Sequence, residues 1–362
     1  MENRPYKEEQ DLKMRSKTSP KNKKKKKAPS KNREFAVITY SFLALFICLM
    51  GYFTYFQFEK SEDFIDNPYN TRQETFEQKV VRGKILAATG ETLAETISDD
   101  AGNDTRRYPY GSIFAHVVGY STHGKTGIES QANFDLLRSN VSIIEKTGNE
   151  IQGEKSIGDN VVTTLDYELQ LRAYDALGSY DGAVVVMEPA TGKILAMVSK
   201  PDFDPNTISE DWDTLTADTN TDAVLLNRAT QGLYPPGSTF KILTTLEYLN
   251  EHGTDEDYSY SCNGSFTVGN TTIHCHNNKS HGTQTLKQAF ANSCNSAYSS
   301  MGLDLDITQF AKLCDSLLFN TSLPTKFESS KSSFVLQSSD GDASIMSTSI
   351  GQGKTLVTPF HM

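Results

Sequence analysis

Residues 235–241 read Pro-Pro-Gly-Ser-Thr-Phe-Lys, the most informative heptad of the chain. Pro-Pro-Gly predicts a turn, after which a helix begins at Ser238. Residues three apart share a helix face, so Lys241 is expected beside Ser238. A desolvated lysine with a lowered pKa can take the proton of a serine hydroxyl, and a helix N-terminus favours the negative charge that develops there. The heptad therefore predicts a nucleophilic serine with its own base.

A second element, Ser-Cys-Asn at residues 293–295, lies in a predicted helical stretch, 286–303. The chain contains two more Ser-x-Asn tripeptides, at 30–32 in a polar tail and at 261–263 in a predicted loop. Only the tripeptide at 293–295 sits where a helical segment can direct side chains into a cleft. It is therefore the candidate for the second part of the same site.

The surrounding patterns predict mixed secondary structure. Two apolar runs, 182–189 and 192–198, flank a Pro-Ala-Thr-Gly turn and predict a β-hairpin. A shorter strand, turn and strand are predicted within 82–93. Apolar residues at helical spacing follow at 167–177 and 240–251. A hairpin combined with these helices predicts an α/β (α+β) fold class.

The N-terminal part predicts a membrane anchor. Residues 35–58 carry no charge, and about 20 apolar residues in a helix span a bilayer core of ~30 Å. Residues 1–34 hold 13 of the 35 basic residues but 5 of the 45 acidic ones, and they are predicted to be disordered. For residues 35–58 the alternative is a buried helix of a soluble protein. For the lysine run 23–27 the alternative is a nucleic-acid or nuclear-targeting patch. Beside an apolar segment, the lysine run instead predicts a cytoplasmic N-terminus in contact with anionic lipid.

The motifs and their order resemble those of the class B penicillin-binding proteins, which carry Ser-x-x-Lys, then Ser-x-Asn, then Lys-Thr/Ser-Gly. The resemblance covers about 60–362 and is collinear. Further segments that are similar to this family are 67–72, 82–85, 107–109, 124–129, 163–166, 350–353 and 357–359.

The resemblance implies four regions along the chain. They are a basic cytoplasmic tail (1–34), a single transmembrane helix (35–58), a small β-rich non-catalytic pedestal domain (61–155) and a transpeptidase domain of the serine penicillin-binding and β-lactamase type (156–362). The implied location is the bacterial cell membrane, with the catalytic domain outside the cytoplasm.

The resemblance also implies the activity, a serine-type peptidoglycan D,D-transpeptidase of cell-wall synthesis, in cell division or cell shape. Ser238 would form the acyl-enzyme, Lys241 would be its base, Ser293 would relay the proton to the leaving D-alanine, and Asn295 would orient the donor peptide amide. The implied partners are stem peptides ending in D-Ala-D-Ala, β-lactams, the membrane and a polytopic membrane glycosyltransferase, but no nucleic acid. No cofactor is expected for catalysis.

The third family motif has no match after residue 295. Lys354-Thr355 is followed by Leu356 where the motif has glycine, and the Lys-Thr-Gly at 146–148 precedes Ser238. The transpeptidase domain is therefore expected to be C-terminally truncated before the Lys-Thr-Gly motif. Loss of an oxyanion-hole donor costs on the order of 10²–10³ in rate, so this chain alone is expected to be inactive or barely active. A non-catalytic scaffold of the wall-synthesis complex and a β-lactam sensor remain alternatives.

Three cysteines and a histidine suggest a metal site. Cys262, Cys275, His281 and Cys294 form a set that could bind a structural zinc ion, which takes Cys₃His ligands in tetrahedral geometry. A Cys262–Cys275 disulfide is a second interpretation, because disulfides form outside the cytoplasm. Unpaired small core residues are the third.

Residues 119–126, Gly-Tyr-Ser-Thr-His-Gly-Lys-Thr, satisfy the pattern of a phosphate-binding loop, and the apolar run 115–118 before them resembles a strand. Taken alone, they predict a P-loop NTPase. The predicted topology places them away from nucleotide pools, and the same residues fit a segment of the penicillin-binding proteins. The NTPase is therefore the distant alternative.

Overall fold

The computed structural model describes residues 32–60, 79–140, 155–217 and 222–362, the last two residues of the first range by their backbone alone. The chain divides into two compact units, Met1–Glu62 and Asp63–Met362. The first contains helix α1 (Asn32–Tyr55), which continues as a π-helical turn, Phe56–Lys60.

Helix α1 is long and apolar enough to cross a membrane, with a mean hydropathy of 2.0 in its most apolar window. None of its residues is buried. Its two threonine hydroxyls donate to backbone carbonyls one turn earlier, Thr39 to Phe35 (2.8 Å) and Thr54 to Met50 (2.9 Å). Such internal bonds satisfy polar groups where water is absent. The helix predicted around 35–58 is thus present.

The described part of the second unit contains several short strands before the hairpin region. They are β1 (Val80–Val81), β2 (Ile85–Leu86), β3 (Thr92–Ser98), β4 (Asp104–Arg107), β5 (Ser156–Ile157) and β6 (Val161–Val162). Four of them form a sheet in the order β4-β3-β2-β6, and β1 pairs with β5. Strands β2 and β3 are antiparallel, which confirms the strand, turn and strand predicted within 82–93.

The short helices α2 (Ala115–Val118), α3 (Gly127–Gln131) and α4 (Asn133–Leu137) follow β4 along the chain. A buried ion-pair cluster joins Arg106 of the sheet, and Arg82 before β2, to α3. Glu129 on α3 is fully buried and accepts from Arg82 Nε at 2.6 Å and Arg106 Nε at 2.7 Å. Burial alone would raise the pKa of Glu129, but the two guanidinium groups hold it below its usual value.

The strand predicted at 115–118 is wrong, because these residues form helix α2 and pack into the core beneath the sheet. The loop 119–126 folds back on itself, since Thr126 N donates to Tyr120 O at 3.2 Å. A P-loop needs a strand before it and a helix N-terminus after it. Here a helix precedes the loop, and α3, which follows, has only five residues.

The predicted hairpin is confirmed. Strands β7 (Gly182–Met187) and β8 (Ile194–Lys200) are antiparallel. Helix α5 (Tyr167–Leu177) packs against β8 through Ala173, and it begins where the Asp166 side chain accepts from Leu169 N. Helix α6 (Ile208–Leu215) follows.

The remaining elements surround the predicted site. They are α7 (Lys241–His252), β9 (Tyr260–Cys262), β10 (Ser265–Val268), β11 (Thr271–His274), β12 (Gly282–Gln284), α8 (Leu286–Ala291), α9 (Asn295–Asp304), α10 (Ile307–Ser316) and α11 (Asp342–Thr348). Their core is centred on the buried rings of Phe240, Tyr298 and Phe310. The mixture of helices and sheets confirms the α/β (α+β) class. The pedestal and transpeptidase boundaries at 61–155 and 156–362 stay predictions.

The single helix predicted over 286–303 is wrong at one point. Helix α8 ends at Ala291 and α9 begins at Asn295. Between them Ser293 has a φ of +47°, a left-handed conformation that breaks the helix. The break turns the Ser-Cys-Asn segment toward α7.

Candidate active site

Ser238 and Lys241 lie side by side, as their spacing predicts. The turn created by Pro235 and Pro236 ends at Gly237, whose φ is +58°. Ser238 then lies in a 3₁₀ turn, Gly237–Phe240, and Lys241 opens helix α7. The Lys241 Nζ atom is 3.2 Å from Ser238 Oγ.

The Lys241 side chain is buried, with 1% of the residue exposed. Its Nζ donates to Asn295 Oδ1 (2.7 Å), Ser293 O (2.8 Å) and Ser293 Oγ (2.9 Å). Burial penalises the charged amine and lowers the pKa of Lys241 to about 8. The nearby thiols of Cys294 and Cys275 act in the opposite direction but do not outweigh burial. Among the described residues no carboxylate forms an ion pair with Lys241. A small fraction of neutral amine is therefore present near pH 7.

Ser293 completes a triangle of polar groups with Ser238 and Lys241. Its hydroxyl donates to Ser238 Oγ at 2.9 Å and contacts Lys241 Nζ at the same distance. Both hydroxyl-bearing residues are exposed, whereas the lysine is buried. A substrate can therefore reach the two hydroxyls while the amine between them stays shielded from water.

Asn295 begins helix α9 and is held at both ends of its amide. Its Oδ1 accepts from Lys241 Nζ, and its Nδ2 donates to His274 O at 2.9 Å. The structure thus brings the predicted residues Ser238, Lys241, Ser293 and Asn295 into one hydrogen-bonded group.

Sequence reasoning did not assign a role to Gly351, which packs against the residue that precedes the serine. Gly237 N donates to Gly351 O at 2.7 Å. A Cβ atom on Gly351 would lie 1.9 Å from Gly237 O, so only glycine fits there. The sequence does contain a signal for it, because residues 350–353 resemble a family segment.

Tyr298 is a second residue that the motifs did not identify. Its ring is fully buried, and Lys241 Nζ lies 5.5 Å from the ring centroid. Its hydroxyl is 2.6 Å from Thr245 Oγ1, one turn after Lys241 on α7. Position 298 follows Asn295 by three residues on α9, and that spacing could have suggested a residue facing the site.

Of the two Lys-Thr segments, only Lys354-Thr355 lies among the described residues. Residues 146–148 lie outside the described residues. Leu356 forms a β-bridge with Ser333, and the buried Thr355 hydroxyl makes no hydrogen bond to any residue that the structure describes.

The predicted metal ligands converge next to this group. Cys262 Sγ lies 3.7 Å from Cys275 Sγ and 3.5 Å from His281 Nδ1, and Cys275 Sγ lies 3.7 Å from Cys294 Sγ. All four ligand atoms lie within 4.8 Å of one another. Pairing of β9 with β12 brings Cys262 close to His281, which directly precedes β12.

These distances fit a tetrahedral zinc ion. Zn–S bonds of about 2.3 Å and Zn–N bonds of about 2.0 Å in tetrahedral geometry separate two sulfurs by about 3.8 Å and a sulfur from a nitrogen by about 3.5 Å. Hydrogen-bond donors lie beside two of the sulfurs, Gly264 N at 3.4 Å from Cys262 and Ser296 Oγ at 3.1 Å from Cys275. A disulfide needs a separation of about 2.05 Å, and all five cysteines, each in a described segment, are free thiols.

Two family models match this chain. The penicillin binding protein transpeptidase domain matches residues 182–362, which is half of the chain. The penicillin binding protein A dimerisation domain matches residues 82–161, within and just beyond the region predicted as a pedestal.

Curated relatives and solved structures agree with these matches. The peptidoglycan D,D-transpeptidase PbpA of Mycolicibacterium smegmatis is 29% identical over 354 residues, which cover 91% of this chain and 71% of that protein. The peptidoglycan D,D-transpeptidase MrdA of Escherichia coli K12 is 35% identical over 186 residues, which cover 41% of this chain and 29% of that protein. The imipenem acyl-enzyme of penicillin-binding protein A from M. tuberculosis is 28% identical with a TM-score of 0.70, covering 79% of this chain and 69% of that one.

Proposed function

We propose that this chain, which belongs to the class B penicillin-binding protein family, is a serine-type peptidoglycan D,D-transpeptidase with Ser238 as its nucleophile. The observation that carries the assignment is the triangle of Ser238, Lys241 and Ser293, in which two exposed hydroxyls are joined to one buried amine. The family membership supports the proposed reaction, and the geometry supports the proposed roles of the residues.

Acylation begins when neutral Lys241 accepts the Ser238 proton across the 3.2 Å that separates Nζ from Oγ. The Ser238 oxygen attacks the carbonyl carbon of the penultimate D-alanine and forms a C–O bond. The C–N bond to the terminal D-alanine breaks, and its nitrogen takes a proton from the Ser293 hydroxyl. Lys241 then returns a proton to Ser293 over 2.9 Å. The products are a Ser238 ester and free D-alanine.

Transfer to the acceptor peptide reverses the proton path. The acceptor amine attacks the ester carbonyl, gives up one proton through Ser293 to Lys241, and releases Ser238 as the alcohol. A β-lactam enters the same first step, but its leaving nitrogen stays attached to the acyl group. Asn295 contributes orientation, because one N–H of its amide is bound to His274 O and the other is available for the donor peptide carbonyl.

The experiment is labelling with fluorescent penicillin in membranes of the source cells, with each substitution made in the gene. Ser238→Ala and Lys241→Ala are expected to remove one labelled band. Ser261→Ala is the matched control, because Ser261 begins another Ser-x-Asn tripeptide but lies on strand β9, and it should leave the band unchanged. A band that persists in Ser238→Ala would refute the assignment.

We also propose a structural zinc ion bound by Cys262, Cys275, His281 and Cys294. The sulfur–sulfur and sulfur–nitrogen distances support it, as do the donors beside the sulfurs. The ion would cross-link the chain and take no part in the reaction. Because Cys294 separates Ser293 from Asn295, the cross-link would end inside the catalytic segment.

Metal analysis of protein purified without chelator tests the zinc proposal. We expect about one zinc per chain in the wild type and in Cys314→Ser, since Cys314 is a buried free thiol outside the cluster. Cys275→Ser should hold much less. Metal-free protein in which Cys262 and Cys275 are cross-linked would exclude the metal.

We further propose a single-pass topology with a cytoplasmic N-terminus, which the charge balance of residues 1–34 and helix α1 support. The donor would be a stem peptide ending in D-Ala-D-Ala, and the glycan strands would come from a polytopic membrane glycosyltransferase, as family resemblance implies. Labelling of intact cells with a membrane-impermeant thiol reagent tests the topology, with the unsubstituted chain as the background. Glu2→Cys should stay protected, whereas Lys279→Cys, at an exposed position, should react. The reverse pattern would refute the proposed orientation.

A further inference from the structure

An apolar groove of about 420 Å³ lies between helices α7 and α8. Its apolar walls are Ile242, Leu246 and Leu249 on α7, and Leu286 and Phe290 on α8. Three of these side chains are large and strongly exposed, Ile242 (47%), Leu246 (42%) and Phe290 (46%). Apolar side chains that gather in one open, concave surface indicate a binding site, whereas single exposed ones need no explanation.

The groove continues both catalytic segments. On α7, Thr245 lines it one turn after Lys241 and donates to the Lys241 carbonyl at 2.7 Å. On α8, Phe290 lies one turn before Ser293, whose N–H donates to the Phe290 carbonyl at 2.9 Å. One end of the groove therefore lies at the two exposed hydroxyls that a substrate reaches.

The other end of the groove carries two opposite charges. Asp255 lies three residues after the end of α7, and Lys287 lies in the first turn of α8. Both are exposed, and among the described residues neither side chain forms an ion pair or a hydrogen bond. Lys287 precedes Ser293 by six residues, about 9 Å at the helical rise. The groove thus offers an apolar length of that order, followed by one carboxylate and one ammonium group.

We propose that the groove binds the side chain of the residue that precedes D-Ala-D-Ala in the donor peptide, an aliphatic chain whose last carbon bears both an amine and a carboxylate. Its methylenes contact Leu246 and Phe290, its amine pairs with Asp255, and its carboxylate pairs with Lys287. From the reacting carbonyl carbon to the amine of a four-carbon side chain is nine bonds, about 11 Å when extended, which matches the length of the groove. This inference rests on the proposed transpeptidase function and names part of its substrate.

The pairing with Asp255 has a consequence for the reaction. The donor's own amine lies at the far end of the groove, away from the ester on Ser238. The amine that attacks the ester therefore comes from a second peptide, which is what a cross-link between two chains requires.

Four penicillins that differ only in their acyl group are the probes, because that group takes the place of the residue before the penultimate D-alanine. The groups are acetyl, hexanoyl, hexanoyl with a terminal amine, and hexanoyl whose last carbon bears an amine and a carboxylate. Each competes with fluorescent penicillin for Ser238 in the full chain extracted from membranes. The readout is the ratio of acylation rates for two probes on one preparation, so a general loss of activity cancels.

In the wild type, hexanoyl should react about 10-fold faster than acetyl, since each added carbon contributes up to about fourfold when fully buried and the groove is open. The terminal amine should add about threefold, and the carboxylate about threefold more, as expected for solvent-exposed ion pairs.

Three substitutions separate the parts of the groove. Leu246→Asn should remove the hexanoyl gain, Asp255→Asn the amine gain and Lys287→Gln the carboxylate gain. Leu317→Asn and Asp257→Asn are the matched controls, because both residues are exposed and lie outside the groove, and they should keep all three gains. 

If Leu246→Asn does not fold by circular dichroism, Phe290→Asn makes the same test. A wild-type hexanoyl-to-acetyl ratio in the folded variant would overturn this inference. An amine gain that survives Asp255→Asn, or a terminal carboxylate that brings no gain, would overturn it as well. A wild type in which no penicillin reacts at Ser238 would instead overturn the proposed function itself.

Discussion

Gly351→Ala should slow acylation of Ser238 far more than a matched substitution two residues away. A Cβ atom at Gly351 would stand 1.9 Å from Gly237 O and 2.7 Å from Phe240 Cβ. Cβ contacts under 3.0 Å essentially never occur, so the Gly237 carbonyl must move by about 1 Å. Gly237 directly precedes Ser238, and a displacement of ~1 Å at a reacting group costs on the order of 10²-fold in rate.

Gly353→Ala is the control because it shares the backbone strain without the clash. Gly351 has a φ of +73° and Gly353 a φ of +83°, so each alanine costs about 1–2 kcal/mol in stability. At Gly353 the nearest neighbour of a new Cβ is 3.7 Å away, an ordinary contact. We therefore expect both variants to lose stability, but only Gly351→Ala to lose about two orders of magnitude in acylation.

The assay is the rate of reaction with fluorescent penicillin for protein extracted from source-cell membranes, beside urea unfolding of the same preparations. Equal acylation rates in the two variants would refute the reasoning, because the serine would then not depend on the position of residue 351. A folded Gly351→Ala protein with the wild-type rate would refute it as well.

Three further outcomes are expected. Burial lowers the pKa of Lys241 to about 8, and the neutral amine is the base. The rate of Ser238 acylation should therefore rise with pH and reach its midpoint near 8. A rate that is constant from pH 6 to 9 would contradict this. Glu129→Gln leaves two buried guanidiniums without their counter-charge and should cost about 3–5 kcal/mol in urea unfolding, whereas Glu95→Gln, in solvent-accessible ion pairs, should cost under about 1 kcal/mol. Tyr298→Phe removes only the hydroxyl contact with Thr245 and should lower stability by about 1 kcal/mol while acylation stays within a few-fold; a loss as large as that of Ser293→Ala would mean that the hydroxyl joins the chemistry.

The features that could be predicted from the sequence are those formed by residues close together in the chain. The helical repeat alone places Lys241 beside Ser238, and the alternation of apolar residues about a turn alone predicts the β7–β8 hairpin. Helix α1 follows equally from length and composition. In each case the residues that interact are close in sequence.

The rest depends on contacts between distant segments. No local pattern predicts the left-handed Ser293, because its side chain and carbonyl are held by distant residues, Lys241 on α7 and Ser238. Residues 115–118 have a strand-like composition, yet tertiary burial makes them helical. The convergence of Cys262 with His281 requires the β9–β12 pairing, which spacing alone does not specify.

The neutrality of the groups around Lys241 has a consequence for the medium in which the protein works. Its four hydrogen-bond partners are a carbonyl, two hydroxyls and an amide, and among the described residues no carboxylate forms an ion pair with it. Dissolved ions weaken attraction between exposed charges but have little effect on desolvation of a buried group. The pH midpoint of acylation should therefore stay nearly constant as ionic strength changes, so that a cell passing from dilute to saline surroundings keeps the same reactive serine.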